Sequence, residues 1–455
     1  MSKQTQKSKA TLSLAMMVKN EERFLEDALL SAKNWVDEMV VVDTGSTDRT
    51  VEIANDCGAK VSYFEWPNDF SKARNETIRR SNGDWIAILD ADERFRGDHP
   101  QRIRELLKPS PTWPYQAIML NVVNQRLDGS TTHTFFSPRI FPRHSDLGYY
   151  GRIHNCFGSL SMQKEKEFEF IQCNGLEIIH LGYDQEVYRE KNKEFRNLTL
   201  LEAAVREEPE VDRYRYYLGR EYSMLKRYDE AKRMLESVFE LSQVDPMCHR
   251  ETQLAYLQCL FDMQAPFEQL LTQAVTILDS TPQEADAWYL LSLIYIGQGY
   301  QEESIEALIQ ALNYVDELDV NMQTSRLKGE RAKAEVVLAQ YYAQSTQHQD
   351  KAKEWYYKAW SHLSPQDEDW TSLITHILQW SIHTEEVDML KMILKSMAEN
   401  PHSLRIQQAF LIALKTLADL DSKRPALKFL KLAIKTQANL RVDPSFVQLL
   451  RELKS

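Results

Sequence analysis

The chain has 455 residues, 43% hydrophobic and 27% charged, with a net charge of −12 at neutral pH. That length exceeds what one hydrophobic core organises and points to two or three domains of ordinary globular composition, while the acidic balance argues against broad nucleic-acid binding. No apolar run reaches the roughly 18 residues of a membrane span and the start, Met1 to Ala10, is polar and lysine-bearing, so neither a span nor a secretory signal is expected and the protein is placed in the cytoplasm.

Residues 1–10 read as a flexible tail. Beyond it, short β-rich runs alternate with helical stretches. The expected strands are Leu12 to Val18, Met39 to Asp43, Val61 to Phe64, Trp85 to Leu89, Ala117 to Val123 and Thr134 to Phe141. Helical signals occupy Glu21 to Lys33, Thr47 to Cys57 with Gly58 as C-cap, and Phe70 to Ser81. The alternation predicts an α/β domain over residues 11–185, a mostly parallel sheet with helices on both faces and a ligand site at the carboxyl ends of the strands. Five cysteines, Cys57, Cys156, Cys173, Cys248 and Cys259, lack C-x-x-C spacing and are expected to be free thiols.

After residue 185 the strands vanish. Residues 186–205 read as a linking helix and 206–455 as an all-α repeat region. Leu218-Gly219 with Tyr222 and Ala231, and Trp288 with Leu291, Tyr295 and Gly299, fall at tetratricopeptide offsets. Ala334 to Leu363 is a third, degenerate copy and Leu254 to Leu260 a candidate for a fourth. Uneven spacing leaves an irregular helical bundle as the alternative.

The chemistry concentrates in the first half. Ile86 to Leu89 runs into Asp90-Ala91-Asp92-Glu93; on an extended backbone Asp90 and Asp92 would point the same way from the strand exit. Paired carboxylates there suit Mg2+ or Mn2+ carrying a diphosphate; the alternative is an acidic turn. Met17-Val18-Lys19-Asn20-Glu21-Glu22 ends the first strand, and Asp43-Thr44-Gly45-Ser46-Thr47-Asp48 ends the second, with Asp43 able to accept from a ribose or base. Asn68-Asp69-Phe70-Ser71-Lys72-Ala73-Arg74-Asn75 opens a helix, where Arg74 can pair with phosphate or Asp90. Ordinary helix capping is the competing reading for all three segments. No G-x-G-x-x-G follows the first strand, which disfavours a dehydrogenase.

These four segments, in this order and spacing, resemble the family 2 glycosyltransferases of GT-A fold. The subgroup with a C-terminal tetratricopeptide-like region, which includes S-glycosyltransferases of sublancin-type bacteriocins, looks most similar. The resemblance covers residues 11–185 and implies an inverting single displacement. It implies that Val18, Lys19, Asn20, Glu21, Asp43 and Thr44 hold the nucleoside of a nucleotide-sugar such as UDP-glucose, with Asp69, Arg74 and Asn75 beside it. It further implies that Asp92 binds Mn2+ or Mg2+, while Asp90 and Ala91 contact ribose or metal-bound water.

His180, in the pattern Ile178-Ile179-His180-Leu181-Gly182-Tyr183, is the candidate third metal ligand alongside Asp90 and Asp92; a core histidine bonded to a carbonyl is the alternative. Relatives commonly carry a glutamate after the histidine where this chain has His154-Asn155, and an asparagine cannot act as a base. The base is therefore expected to be His154, with Asp146 and Asp184 next, unless the acceptor is a thiol that needs little help. Tyr149, Tyr150, Arg139 and Arg143 either line the acceptor side or pack. The expected function is transfer from a UDP-sugar to a peptide or protein held by the repeats. Its rivals are a non-catalytic nucleotide-sugar-binding scaffold, or transfer onto polysaccharide, lipopolysaccharide or modified DNA. Nothing in the sequence indicates an oligomeric state.

Overall fold

A computed structural model describes residues 9–97, 100–108, 115–125, 127, 129, 131–161, 168–182, 193–315, 325–363 and 369–399. Among these, β1 (Leu12–Val18), β2 (Glu38–Asp43), β3 (Lys60–Tyr63) and β4 (Trp85–Ile88) alternate with α1 (Leu25–Ala32), α2 (Thr50–Asp56) and α3 (Phe70–Arg80). Then follow β5 (Glu93–Arg96), α4 (Pro100–Leu106), β6 (Gln116–Gln125), β7 (Thr131–Pro142), β8 (Leu147–Tyr150), β9 (Cys156–Ser159) and β10 (Glu169–His180).

The large sheet has the order β3-β2-β1-β4-β7-β6-β10-β5. It is parallel from β3 to β4, then turns antiparallel at β7, is parallel again between β6 and β10, and ends with β5 antiparallel to β10. The sheet is thus mixed, with its parallel half where the sequence places it. β1 is apolar throughout because both faces are covered. Leu12, Leu14, Met16 and Val18 pack with Leu25, Ala28, Leu29 and Ala32 of α1 on one face, while Ala15 joins Ile78, Ile86, Ile88 and Phe141 on the other. Each fully buried Leu or Met here contributes about 1.5–3 kcal/mol of transfer free energy.

The crossing to β5 positions the site. The chain leaves β4 and turns at once, since the Glu93 amide donates to the Asp90 carbonyl at 3.0 Å, and β5 then pairs beside β10 with Glu93 opposite His180. Asp90 and Asp92 therefore lie on a turn, and the expectation that an extended backbone points them the same way is corrected: they face different partners.

The described residues up to Ala265 form one compact unit and those from Pro266 a second. The first contains α5 (Lys193–Glu207), α6 (Asp212–Met224), α7 (Tyr228–Phe239) and α8 (Pro246–Asp262). Secondary structure changes character near residue 185, but compactness continues: Ile153 of the sheet domain shares a core with Leu200, Leu201, Ala204, Tyr214 and Leu218, against which Trp66 and Phe70 pack. The Tyr214 hydroxyl accepts from the Arg152 amide at 3.0 Å, and Arg152 pairs with Glu207. Gly219 permits the close approach of α6 and α7, since a Cβ there would lie 2.6 Å from Leu235 Cγ; this is the small-residue contact its tetratricopeptide offset anticipates.

The second unit holds consecutive helices α9 (Phe267–Ser280), α10 (Ala285–Gly297), α11 (Gln301–Tyr314), α12 (Arg326–Ala343), α13 (Gln349–His362), α14 (Trp370–His383) and α15 (Val387–Glu399). The expected third copy corresponds to the packed pair α12 and α13. A groove of about 270 Å³ among α10, α11 and α12 is lined by Leu293, Ile296, Ile305, Val337 and Tyr341. No described helix is long and apolar enough to cross a membrane.

Cutting the chain at Arg206 removes Tyr214 and Leu218 from the core around Ile153 and exposes an apolar seam. A fragment ending there is expected to aggregate, whereas one ending at Ala265 should elute as a compact species and melt in one cooperative step. Size-exclusion chromatography with thermal melts distinguishes them; equal solubility of the two would contradict this boundary.

Candidate functional site at the strand exits

The loops after β1 and β2 are stitched together at the edge of the parallel half-sheet. The Asn20 amide donates to Ser46 Oγ at 2.9 Å, Asn20 Oδ1 accepts from the Thr47 amide at 2.7 Å, and the Glu21 amide donates to Thr50 Oγ1 at 2.7 Å. Asn20 adopts a left-handed backbone, φ 54°, which asparagine tolerates better than most residues. Thr44 bonds through both its amide and hydroxyl to the Val18 carbonyl. Asp43 is only 2% exposed, and its carboxylate accepts the Gly45 and Ser46 amides at 3.1–3.2 Å. The structure thus brings Val18, Asn20, Glu21, Asp43 and Thr44 together, with Lys19 exposed among them.

The start of α3 supplies the next wall. Asp69 is its N-cap, accepting from the Lys72 amide at 3.1 Å and Ser71 Oγ at 2.6 Å. The capping alternative is therefore what its Oδ1 does. Asn75 clamps β8 in both directions, its Nδ2 donating to the Tyr149 carbonyl at 2.7 Å and its Oδ1 accepting the Tyr149 amide at 2.8 Å. Arg74 lies over the Tyr149 ring, 4.9 Å from its centroid, and donates to both oxygens of Asp90 at 3.0 and 3.3 Å. Burial alone would raise the Asp90 pKa, but the Arg74 and Arg139 guanidiniums outweigh it and hold the carboxyl below its ordinary value.

Asp92 turns the other way. Its carboxylate, 6% exposed as a residue, faces His180 Nε2 at 3.7 Å. His180 Nδ1 lies 2.6 Å from Asn124 Oδ1, an acceptor that places a proton on Nδ1 and leaves Nε2 as the ring nitrogen facing Asp92. Gly182 keeps the space before both groups open: a Cβ there would lie 2.4 Å from His180 Nε2 and 2.7 Å from Asp92 Oδ2. A carboxylate and an imidazole nitrogen around such a cradle fit a divalent cation of the Mn2+ type. Because Asp90 is drawn to Arg74, the expected trio of Asp90, Asp92 and His180 is not gathered into one ligand cluster, and no group of three His, Cys, Asp or Glu set to hold a metal occurs among the described residues.

The expected base residues are placed differently. Asp146 bonds Ser159 Oγ at 2.6 Å, Tyr115 OH at 3.2 Å and the Ser161 amide at 2.8 Å. It latches the β8–β9 hairpin, and the Ser159 bond leads the contacts that lower its pKa, so it is a weakened base. The His154 ring stacks on Tyr217 at 3.8 Å. Although the residue keeps an exposed edge, burial of the imidazole, followed by the charge of Arg220, pushes its pKa down to about 4. It is neutral at pH 7 and a weak proton acceptor. Asp184 and Tyr183 lie outside the described residues. Tyr149 packs with Phe141 and Phe157, Arg213 stacks over Tyr150, Arg143 bonds the Gly83 carbonyl, and Arg139 pairs with Glu93 in the interior. Tyr149 and Arg139 are both buried.

The contact of Asn124 with His180, the close approach at Gly182 and the partner of Arg139 emerge only in the folded chain. Asn124 is fully buried near the end of β6, and a buried amide needs a partner.

Residues 13–171 match Glycosyl transferase family 2, and residues 285–314, which span α10 and α11, match the tetratricopeptide repeat. The chain thus carries a family 2 glycosyltransferase domain followed by a tetratricopeptide-type helical region. Among curated proteins it is similar to the SPbeta prophage-derived glycosyltransferase SunS of Bacillus subtilis, 28% identical over 225 residues, 49% of this chain and 51% of that protein. It is also similar to a TPR repeat-containing protein of Synechococcus elongatus, 28% identical over 310 residues, 67% of this chain and 75% of that one. Among solved structures it resembles the glucosyl-3-phosphoglycerate synthase of Mycobacterium tuberculosis in complex with Mn2+ and UDP, at 25% identity over 26% of this chain and 44% of that one, with a TM-score of 0.20. The chain spans about half the length of the SunS relative.

Filling the Gly182 cradle tests the Asp92–His180 pair without substituting either residue. Gly182→Ala is expected to weaken Mn2+ binding at least as much as His180→Ala, by about 10- to 100-fold, with the fold retained by circular dichroism. Calorimetric titration with MnCl2 and UDP reads this; unchanged affinity in Gly182→Ala would place the cation elsewhere.

Proposed function

We propose that this protein is a metal-dependent, inverting glycosyltransferase that takes its sugar from a UDP-sugar and delivers it to a peptide or protein held partly by the helical region. The observation that carries the reading is the Asp92–His180 pair around Gly182, at the strand exits of a domain that matches family 2. Asp92 and His180 would hold Mn2+ or Mg2+. When bound, the cation supplies neutralisation of the departing nucleoside diphosphate. The stitched loops from Val18 to Glu21 and at Asp43 and Thr44 would receive the nucleoside, and Arg74 fixes Asp90.

Inverting transfer needs the acceptor's proton removed as the nucleophile attacks the anomeric carbon. Neutral His154 and the latched Asp146 are weak bases, and Asn155 is none. An acceptor that ionises near neutral pH, such as a cysteine thiol, places the least demand on them. The apolar groove among α10, α11 and α12 supports a peptide or protein acceptor. No disulfide links the five cysteines among the described residues, which fits a reducing setting. Asn155 also supports the rival reading, a scaffold that binds nucleotide-sugar without transferring it, and Mn2+-stimulated hydrolysis of UDP-sugars by the purified protein separates the two.

In that assay Asp92→Asn should abolish metal-stimulated turnover while the protein stays folded, because Asp92 packs no core. Asp43→Ala should raise the donor KM and leave the metal dependence unchanged. Full hydrolysis by folded Asp92→Asn would contradict the metal assignment, and an unchanged KM in Asp43→Ala would remove Asp43 from the donor site.

A further inference from the structure

Beneath the Asp90–Asp92 turn lies a buried ion pair that the proposed mechanism does not use. Arg139 of β7 and Glu93 of β5 form a two-pronged contact, Nη1 to Oε2 at 2.9 Å and Nη2 to Oε1 at 2.7 Å. Glu93 is 1% exposed and Arg139 8%. Removing two charges from water is costly, and well-packed apolar residues of similar volume commonly do at least as well for stability. The cost is heightened because Arg139 Nε is buried without a hydrogen-bond partner.

The pair makes contacts that a purely stabilising one would not need. Glu93 Oε2 also accepts the Asp90 backbone amide at 2.8 Å, so the carboxylate closes the turn from inside while the Glu93 amide closes it through the Asp90 carbonyl. The Glu93 backbone faces His180 across the β5–β10 ladder, and the Leu181 amide bonds the Asp92 carbonyl at 3.0 Å. Glu93 thus ties the turn bearing Asp90 and Asp92 to β7 through its carboxylate and to the strand bearing His180 through its backbone, and Arg139 fixes the direction of the carboxylate.

We infer that Arg139, acting through Glu93, is a positioning residue for the cation and diphosphate: it holds the turn in the shape that faces Asp92 to His180. This rests on the proposed function, since it concerns the same site. Arg139 touches neither donor nor acceptor in this role. Its effect is to keep the two ligands preorganised, as groups behind metal ligands commonly do.

The test replaces both charges together, so that neither is left buried alone. In Glu93→Leu with Arg139→Met the pair becomes apolar and the Asp90 amide loses its acceptor. In Glu93→Gln with Arg139→Met the charges go but an amide oxygen remains for Asp90. Thermal melts and calorimetric titration with MnCl2 and UDP are read for both, with the wild type as reference. The first double variant is expected to fold and to bind Mn2+ and UDP about 10- to 100-fold more weakly, and the second to recover most of that loss. A folded first variant that binds as the wild type does overturns the inference, as does failure of both variants to fold, which assigns the pair to folding alone. Absence of binding by the wild type contradicts the proposed function itself and takes the inference with it.

Discussion

The antiparallel pairing of β5 with β10 is the constraint on which the site depends. A chain that ran from β4 directly into a helix would leave Asp90 and Asp92 on a solvated loop far from His180. Here the turn after Ile88 delivers Glu93 to the opposite edge of the sheet, where it meets His180 in register. Antiparallel registers are set by side-chain alternation, and a one-residue slip would turn His180 to the other face and Ile179 toward the cradle. The burial of Ile178 and Phe95 opposes that slip. The geometry of Asp92 and His180 is thereby secured by apolar packing on one face and by the Glu93 contacts on the other.

The parallel half of the sheet was legible because burial on both faces leaves a continuous apolar run, as in Leu12 to Val18, and each such run is followed by a capping signal. The elements that escaped reading are those without that signature. β5, β8 and β9 have four residues each, too few to show periodicity. β10 begins Glu-Phe-Ile-Gln and carries a register shift between Gln172 and Glu177, which breaks the alternation. His180 ends β10 opposite Glu93, but the Asp-x-Asp geometry was misjudged by treating a turn as a strand. Arg139 could not be recognised as interior from residue type alone, because arginine is seldom buried without a partner and that partner lies 46 residues away in sequence.

The domain boundary shows the same limit in another form. Composition changes where strands give way to helices, and that change is local. Compactness is decided by long-range contacts such as Ile153 with Leu200, Leu201 and Tyr214, which no sliding window sees. These contacts place α5 to α8 in the first unit, where α6 supplies Tyr217 to the His154 ring and Tyr214 to the Arg152 amide. Helices that look like part of a separate repeat region therefore shape the loop that carries His154 and Asn155.

The central claim is that Asp92 and His180 together hold a divalent cation for the donor diphosphate. Electron spin-echo spectroscopy of Mn2+ bound with UDP to protein labelled with nitrogen-15 histidine reads it most directly. A coupling from one imidazole nitrogen that disappears in His180→Gln is the predicted result. Mn2+ bound with UDP and showing no histidine coupling, or a coupling that survives His180→Gln, would contradict it.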